Sequence, residues 1–262
     1  MQHTFGALDM TVDVDGVATV VFSRPPVNAV SISVYEDIGA LCTAIEAEPE
    51  IRAVILTAPD TSRAWCGGAD LNDFVGMTPE KRKERYRFIN ARVPRLGNLE
   101  RPLIAAINGA TIGVGMILAG LCDLRVAAED AVFACPEIDY GLVGGGSGLM
   151  AAQNMPRAKI REMYFTGARF TARELEPTGF FNYVLPKAEV LDRARALARA
   201  MAAKSLPAIR ARKIGFIAEA GQSWMDSYLD CQDLSANLVA GEDSAEGVRA
   251  FLEGRKARFT DL

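Results

Sequence analysis

Apolar and polar positions alternate near the start of the chain. Met10, Val12 and Val14 take every second place, and Val17–Phe22 is an almost unbroken apolar run. The two flank Asp15-Gly16, a two-residue turn signal, so the pattern predicts a β-hairpin. After the loop Arg24-Pro25-Pro26-Val27-Asn28 the period changes. Val34, Ile38, Leu41 and Ile45 recur at helical spacing, which predicts a helix from Ser31 to Glu48 with Ser31 as its N-cap. Ala53–Thr57 reads as a buried strand and 58–70 as a polar, glycine-containing loop. Pro79–Leu96 reads as a charged helix that still carries Tyr86, Phe88 and Ile89. Leu103–Ile107 predicts a strand, Gly115–Leu121 a helix, and Leu124–Ala127 and Ala131–Phe133 short strands. Strands alternating with helices define an α/β core. Beyond about Gly148 the pattern is almost wholly helical, over 157–166, 172–177, 187–203, 205–220, 224–240 and 243–257, with one short strand at 182–185. The division that follows is a core over 1–200 and a helical appendage over 201–262, with no internal repeat.

The stretch Leu103–Cys122 carries no charge and is long enough to span a bilayer. Asn108-Gly109 and the glycines at 113, 115 and 120 break it, so a strand, a turn and a short buried helix describe it better. Half of the 262 residues are hydrophobic, enough for a sizeable core. A net charge of −4 offers no footprint for nucleic acid and no general attraction to a membrane surface. Arg249, Arg255, Lys256 and Arg258 form a local basic cluster, either a solvated helix face or a phosphate contact. Residues Met1–Met10 do not resemble a signal peptide. The five cysteines, at 42, 66, 122, 135 and 231, are odd in number and lack CxxC spacing. They read as reduced thiols of a cytoplasmic protein. His3 is the only histidine, which removes Ser-His-Asp triads and histidine-based metal sites. Proton transfer must then come from carboxylates, Tyr, Lys or Cys.

Three segments could converge on one chemistry. Cys66-Gly67-Gly68-Ala69-Asp70-Leu71 sets a glycine pair after a strand, where a ligand can approach backbone N–H groups. Asn108–Gly115 is a second strand-to-helix turn, and a helix starting there aims free N–H groups at one point. The third is Phe133-Ala134-Cys135-Pro136-Glu137, an apolar run that delivers a carboxylate to the edge of the glycine-rich loop 141–148. Burial there would raise the pKa of Glu137 and fit it to act as a general base. The competing reading is an acid at a helix N-terminus after a proline. Two amide donors and one carboxylate suit enolate chemistry at a thioester, the donors holding the carbonyl oxygen and the carboxylate moving the adjacent proton. No glycine segment matches GxGxxG or GxxxxGK[ST]. Cys66 and Cys135 have no visible basic partner and read as packing residues. Trp65 reads as a wall of the core or of a ligand groove.

In order and spacing these pieces resemble the crotonase (enoyl-CoA hydratase/isomerase) superfamily over nearly the whole chain. The resemblance runs from Arg24–Ala29 through Ala64–Leu71, Arg101–Gly109, Cys122-Asp123, Phe133–Ile138, Gly141-Leu142 and Thr166-Gly167 to Glu246–Leu252. It implies a spiral of ββα units with a C-terminal helical region that packs in homotrimers or dimers of trimers. It implies an acyl-CoA substrate, coenzyme A being part of that substrate, with no metal and no separate cofactor. By motif position the thioester oxygen meets the N–H groups of Ala69 and Val114, and Glu137 is the catalytic acid/base. Val27, Asn28, Gly67, Gly68, Asp70, Leu71, Gly113, Ile117 and Pro136 are the substrate- and CoA-binding positions, and segments 72–78 and 79–97 line the acyl pocket.

Two positions depart from the family pattern. Val114 replaces the usual glycine, which keeps the backbone donor. Ile117 stands where many hydratases carry a first glutamate, so the site that holds water between two carboxylates is absent. An apolar residue followed by a single glutamate looks like the Δ3,Δ2-enoyl-CoA isomerases. The expectation is double-bond isomerisation by Glu137 alone. The alternative is hydration, or hydration with carbon–carbon cleavage, with water held by Asp139, Tyr140 or Ser147. Asp139 could equally be a loop-capping acid and Tyr140 a packing residue. Decarboxylation, thioester hydrolysis and a weakly active binding protein complete the possibilities.

Overall fold

A computed structural model describes residues 1–220 and 241–258, together with 225, 229, 232, 233, 236, 237 and 239. Among the described residues eleven strands build two sheets. They are β1 (Gln2–Phe5), β2 (Leu8–Val12), β3 (Val17–Phe22), β4 (Ala53–Thr57), β5 (Ala64–Cys66), β6 (Leu103–Ile107), β7 (Ala110–Ile112), β8 (Leu124–Ala128), β9 (Val132–Ala134), β10 (Phe170–Thr171) and β11 (Tyr183–Leu185). The larger sheet has the order β1-β2-β3-β4-β6-β8-β11 and the smaller one β10-β9-β7-β5. In the larger sheet β3, β4, β6, β8 and β11 run parallel, after the antiparallel start β1-β2-β3. In the smaller sheet β5, β7 and β9 run parallel. The chain thus lays one strand in the large sheet and the next in the small one, three times over: β4 then β5, β6 then β7, β8 then β9. This alternation is the expected spiral of ββα units.

The buried strands β4 and β6 are apolar, as strands covered on both faces require, apart from Thr57, whose hydroxyl donates to the Ala106 carbonyl at 3.0 Å. Among the described residues the helices with defined bounds are α1 (Ile32–Ala47), α2 (Pro79–Asn90), α3 (Val93–Asn98), α4 (Val114–Leu121), α5 (Ser147–Ala152), α6 (Arg157–Thr166), α7 (Ala172–Leu175), α8 (Lys187–Ala202), α9 (Leu206–Ala220) and α10 (Glu242–Leu252). Helix α8 buries Val190, Ala194, Ala198 and Ala202, one stripe at helical spacing, and packs on β4, β6 and β8. Its small residues let the helix lie close to the sheet. Helix α10 packs back on the 3-10 turn Pro136–Tyr140.

Several expectations need correction. The helix predicted over Pro79–Leu96 is two helices, α2 and α3. Pro94 has no N–H to offer the Asn90 carbonyl, so the first helix stops there. Ser31 precedes α1, but its hydroxyl pairs with Ser33 at 2.8 Å instead of capping; Asp73 Oδ2 accepts the Ile32 N–H at 3.1 Å. The loop 58–70 contains β5, and the short helix α5 interrupts the glycine-rich stretch. Strand β1 has no counterpart in the sequence reading. Most of the helix expected over 224–240, and Cys231, lie outside the described residues. Among the described residues no helix is long and apolar enough to cross a membrane.

Candidate active site

Three neighbouring strand ends build the site. Strand β5 leads into Gly67-Gly68-Ala69, β7 into Gly113-Val114, and β9 into Cys135-Pro136-Glu137. Because β5, β7 and β9 are adjacent and parallel, their C-terminal ends lie side by side. Sequence-distant residues 69, 114 and 137 are brought together by this register alone. A bond from Gly113 N–H to the Ala134 carbonyl, 2.9 Å, ties the last two strand ends to each other.

The backbone at Ala69 is held from one edge. Val30 N–H donates to the Gly68 carbonyl at 2.7 Å and Asp70 N–H to the Val30 carbonyl at 3.0 Å. This parallel bridge leaves the Ala69 N–H on the other edge, and Ala69 lines the cavity. Val114 is the first residue of α4, so its N–H has no acceptor within the helix. Gly113 before it adopts φ +51°, a left-handed turn that glycine accepts without strain.

Glu137 fits into the space that two glycines leave. A Cβ at Gly113 would stand 2.7 Å from its Oε1, and a Cβ at Gly144 would stand 2.9 Å from its Oε2. The carboxylate therefore lies against the residue that precedes the Val114 amide. Its Oε2 is buried with no hydrogen-bond partner among the described residues, although Glu137 lines the cavity. Burial pushes its pKa from 4.5 up to about 7; its own backbone N–H and the charge of Arg82 oppose the rise. A carboxyl group poised near neutrality can both take and return a proton. Behind it lies Tyr164, whose ring and hydroxyl occupy the space a Cβ at Gly144 or Gly146 would meet. Burial raises the thiols of Cys66, to about 12, and of Cys135, which leaves both as packing residues. Trp65 is a core residue, its Nε1 bonded to the Leu56 carbonyl at 3.3 Å.

The cavity over these groups has a volume of about 530 Å³. Val27, Gly67, Gly68, Asp70, Leu71, Gly113, Ile117 and Pro136 line it with Ala69, Val114, Glu137 and Tyr140. Asp70 is fixed by Arg24 Nη2 at 2.7 Å and by the Asn72 N–H at 3.1 Å; these bonds outweigh its burial and hold its pKa below the usual carboxylate range.

Three expected residues are elsewhere. Asn28 is wholly buried and does not line the cavity; its side chain bonds to Arg24 N–H, Ser62 and the Ala64 carbonyl, bracing the loop under Gly67. Asp139 is exposed, and its carboxylate lies where a Cβ at Gly167 would be, 2.9 Å away. The 3-10 turn explains this, since two residues on from Glu137 the side chain faces the opposite way. Ser147 begins α5 and is not part of the cavity wall. The basic cluster at the C-terminus is organised around Glu246, which accepts from Arg249 and Arg255 side chains and the Arg258 N–H.

The sequence reading missed Arg82, Arg85, Gly144 and Tyr164. Positions 82, 85 or 86, and 89 share one helical face, a signal obscured by the charges on the rest of α2. Phe74, Arg82, Arg85, Tyr86, Ile89 and Val93 form one wall of the cavity, where the acyl pocket was expected. Phe251 of α10 reaches the site from the C-terminal region, its ring edge-on to Tyr140 at 5.6 Å.

Paired sheets that wind a carboxylate and two strand-end amides into one cavity define the crotonase class of acyl-CoA enzymes. The profile of the family described as enoyl-CoA hydratase/isomerase matches residues 13–262. The Bacillus subtilis protein YngF, named as an enoyl-CoA hydratase/isomerase, is 31% identical over 257 residues, covering 96% of this chain and 97% of its own. The carnitinyl-CoA dehydratase of Proteus mirabilis is 30% identical over 249 residues, covering 93% and 94%. The solved carnitinyl-CoA hydratase of Mycobacterium avium superposes with a TM-score of 0.79 at 28% identity, over 99% of this chain and all of that one. The chain belongs to the enoyl-CoA hydratase/isomerase family and is an acyl-CoA-processing enzyme of that type.

Proposed function

We propose that Glu137 moves a proton at the carbon beside a CoA thioester while the amides of Ala69 and Val114 hold the carbonyl oxygen as it gains charge. The observation that carries this is the position of the Glu137 carboxyl, wedged between Gly113 and Gly144 with its pKa near 7. Preorganised amide donors favour the enolate over the neutral thioester, which lowers the barrier to losing the proton. Glu137 takes the proton and can return it to a different carbon.

The first reading is a double-bond shift in an enoyl-CoA. Ile117 supports it, since the cavity wall there offers water no hydrogen bond. The second reading is hydration, supported by the names of the relatives, which add or remove water. Tyr140 is then the polar neighbour on the cavity wall, and Asp139 is not. Purified protein given 3-enoyl-CoA and 2-enoyl-CoA separately decides between them. Isomerisation of the first without heavy-oxygen uptake from labelled water supports the shift; rapid hydration of the second, with no isomerisation, supports hydration. Glu137→Gln should abolish either while CoA thioesters still bind; retained turnover would sink the single-base reading.

Coenzyme A enters as part of the substrate, and this reading assigns no metal or further cofactor. The C-terminal region 201–262 covers the site through α10 and serves self-association as a homotrimer or dimer of trimers. The exposed Ile214, Phe216 and Leu252 support that role. Light scattering at micromolar concentration tests it, a monomer being the contrary result. The buried, unpaired thiols at 42, 66, 122 and 135 fit a reducing cytoplasm.

A further inference from the structure

Helix α2 carries two arginines unlike its other charged residues. Lys81, Lys83, Glu84 and Arg87 face solvent, whereas Arg82 and Arg85 are only 5% and 8% exposed and line the cavity. Both stack on Phe74, with guanidinium carbons 4.1 Å and 5.3 Å from its ring centre. Arg85 Nη1 donates to Asp73 Oδ2 at 2.8 Å. That same oxygen accepts the Ile32 N–H, which fixes Asp73 between α1 and α2. Arg85 Nη2 is buried and has no hydrogen-bond partner among the described residues.

A guanidinium removed from water loses solvation at every N–H, and one left without an acceptor is a standing cost. A fatty acyl chain needs no such group; an alkyl wall would serve it better and without the cost. A carboxylate is the ligand whose two oxygens match the guanidinium fork. Arg82, Arg85 and Glu137 line one cavity, so α2 borders the space where the acyl group meets the base. The amide wall holds the thioester, so the arginine wall faces what lies beyond it.

Resting on the proton-transfer reading above, we infer that the acyl group bears a second, free carboxylate, received by Arg85 Nη2 with Arg82 beside it. The substrate class is the mono-CoA thioester of a short dicarboxylic acid.

The test compares binding of saturated thioesters of matched length, which are not turned over. Succinyl-CoA is set against butyryl-CoA, and glutaryl-CoA against pentanoyl-CoA, by calorimetry on the wild-type protein. At least one carboxylated member should bind about tenfold more tightly than its partner, the effect of a charge-assisted bond. In Arg85→Gln that difference should vanish while butyryl-CoA and pentanoyl-CoA bind as before. Equal affinities within both pairs in the wild-type protein overturn the inference, whether or not the variant folds. An Arg85→Gln variant that weakens all four ligands alike also overturns it, since the anion would then be a phosphate of CoA. Loss of the inference in this assay leaves the Glu137 reading standing, because that reading is judged by turnover in Glu137→Gln.

Discussion

Glu137→Gln makes the environment of the carboxyl group measurable without a substrate. Glutamine has the shape of the protonated acid and cannot ionise. In the wild-type protein burial lifts the Glu137 pKa from 4.5 to about 7. A change of that size disfavours the ionised form by roughly 3 kcal/mol, at about 1.4 kcal/mol for each tenfold change in proton affinity. Between pH 4.5 and 7 the native state keeps a proton that the unfolded chain has released. The contribution of Glu137 to wild-type stability therefore falls as pH rises through that window and levels off above it. The variant lacks this loss. The two proteins should be equally stable near pH 4.5 and differ by up to roughly 3 kcal/mol at pH 8, the variant being the more stable. Tyr140, Tyr164 and Cys135 are themselves shifted upward, so they do not titrate in this range. Urea unfolding at fixed chain concentration from pH 4.5 to 8 gives the difference directly. A gap that stays constant with pH, or a variant less stable at pH 8, would refute the claim that desolvation sets the base.

In the wild-type enzyme kcat/KM should rise with pH and level off above about 7, as the ionised base becomes available; a profile flat from pH 5 to 8 contradicts it. Gly113→Ala puts a methyl group 2.7 Å from Glu137 Oε1 on backbone at φ +51°, so kcat should fall by roughly a hundredfold or more, the scale of a lost oxyanion donor, with the loss read from steady-state rates. Asn28→Ala removes the side-chain bonds to Arg24, Ser62 and Ala64, and should cost roughly 2–4 kcal/mol in urea unfolding, at about 1 kcal/mol for each bond. Arg125→Met strips the guanidinium from the carbonyls of Phe180, Cys122 and Ala119 and from Gln153, which should cost roughly 3 kcal/mol or more by the same measurement.

Residues that the backbone itself places were legible in the sequence. The hairpin at Asp15-Gly16, strands β4 and β6 and the turn before α4 announce themselves through local period and turn chemistry. The two glycine turns and Glu137 follow from strand ends, the family resemblance singles out Ala69 and Val114 within those turns, and all three residues line the cavity. What the sequence hid depends on direction and distance. Asn28 looks like a ligand-binding polar residue, yet its amide is spent on holding loops together. Asp139 lies two positions from the base, and only the sense of the 3-10 turn reveals that it faces Gly167. Arg82 and Arg85 sit among exposed charges, and nothing local says which of them turn inward. Helix α10 returns to the site over more than a hundred residues, a contact no local pattern encodes.

The proposed reacting centre and the wall proposed to meet the acyl group come from different parts of the architecture. Amides and base hang on the rims of β5, β7 and β9, whose spacing is dictated by main-chain hydrogen bonding and is nearly indifferent to side-chain identity. The opposite wall is made of side chains from α2, α3 and α10. A protein engineer can therefore re-sculpt one half for a new thioester while the other keeps its chemistry, and natural variation has the same freedom.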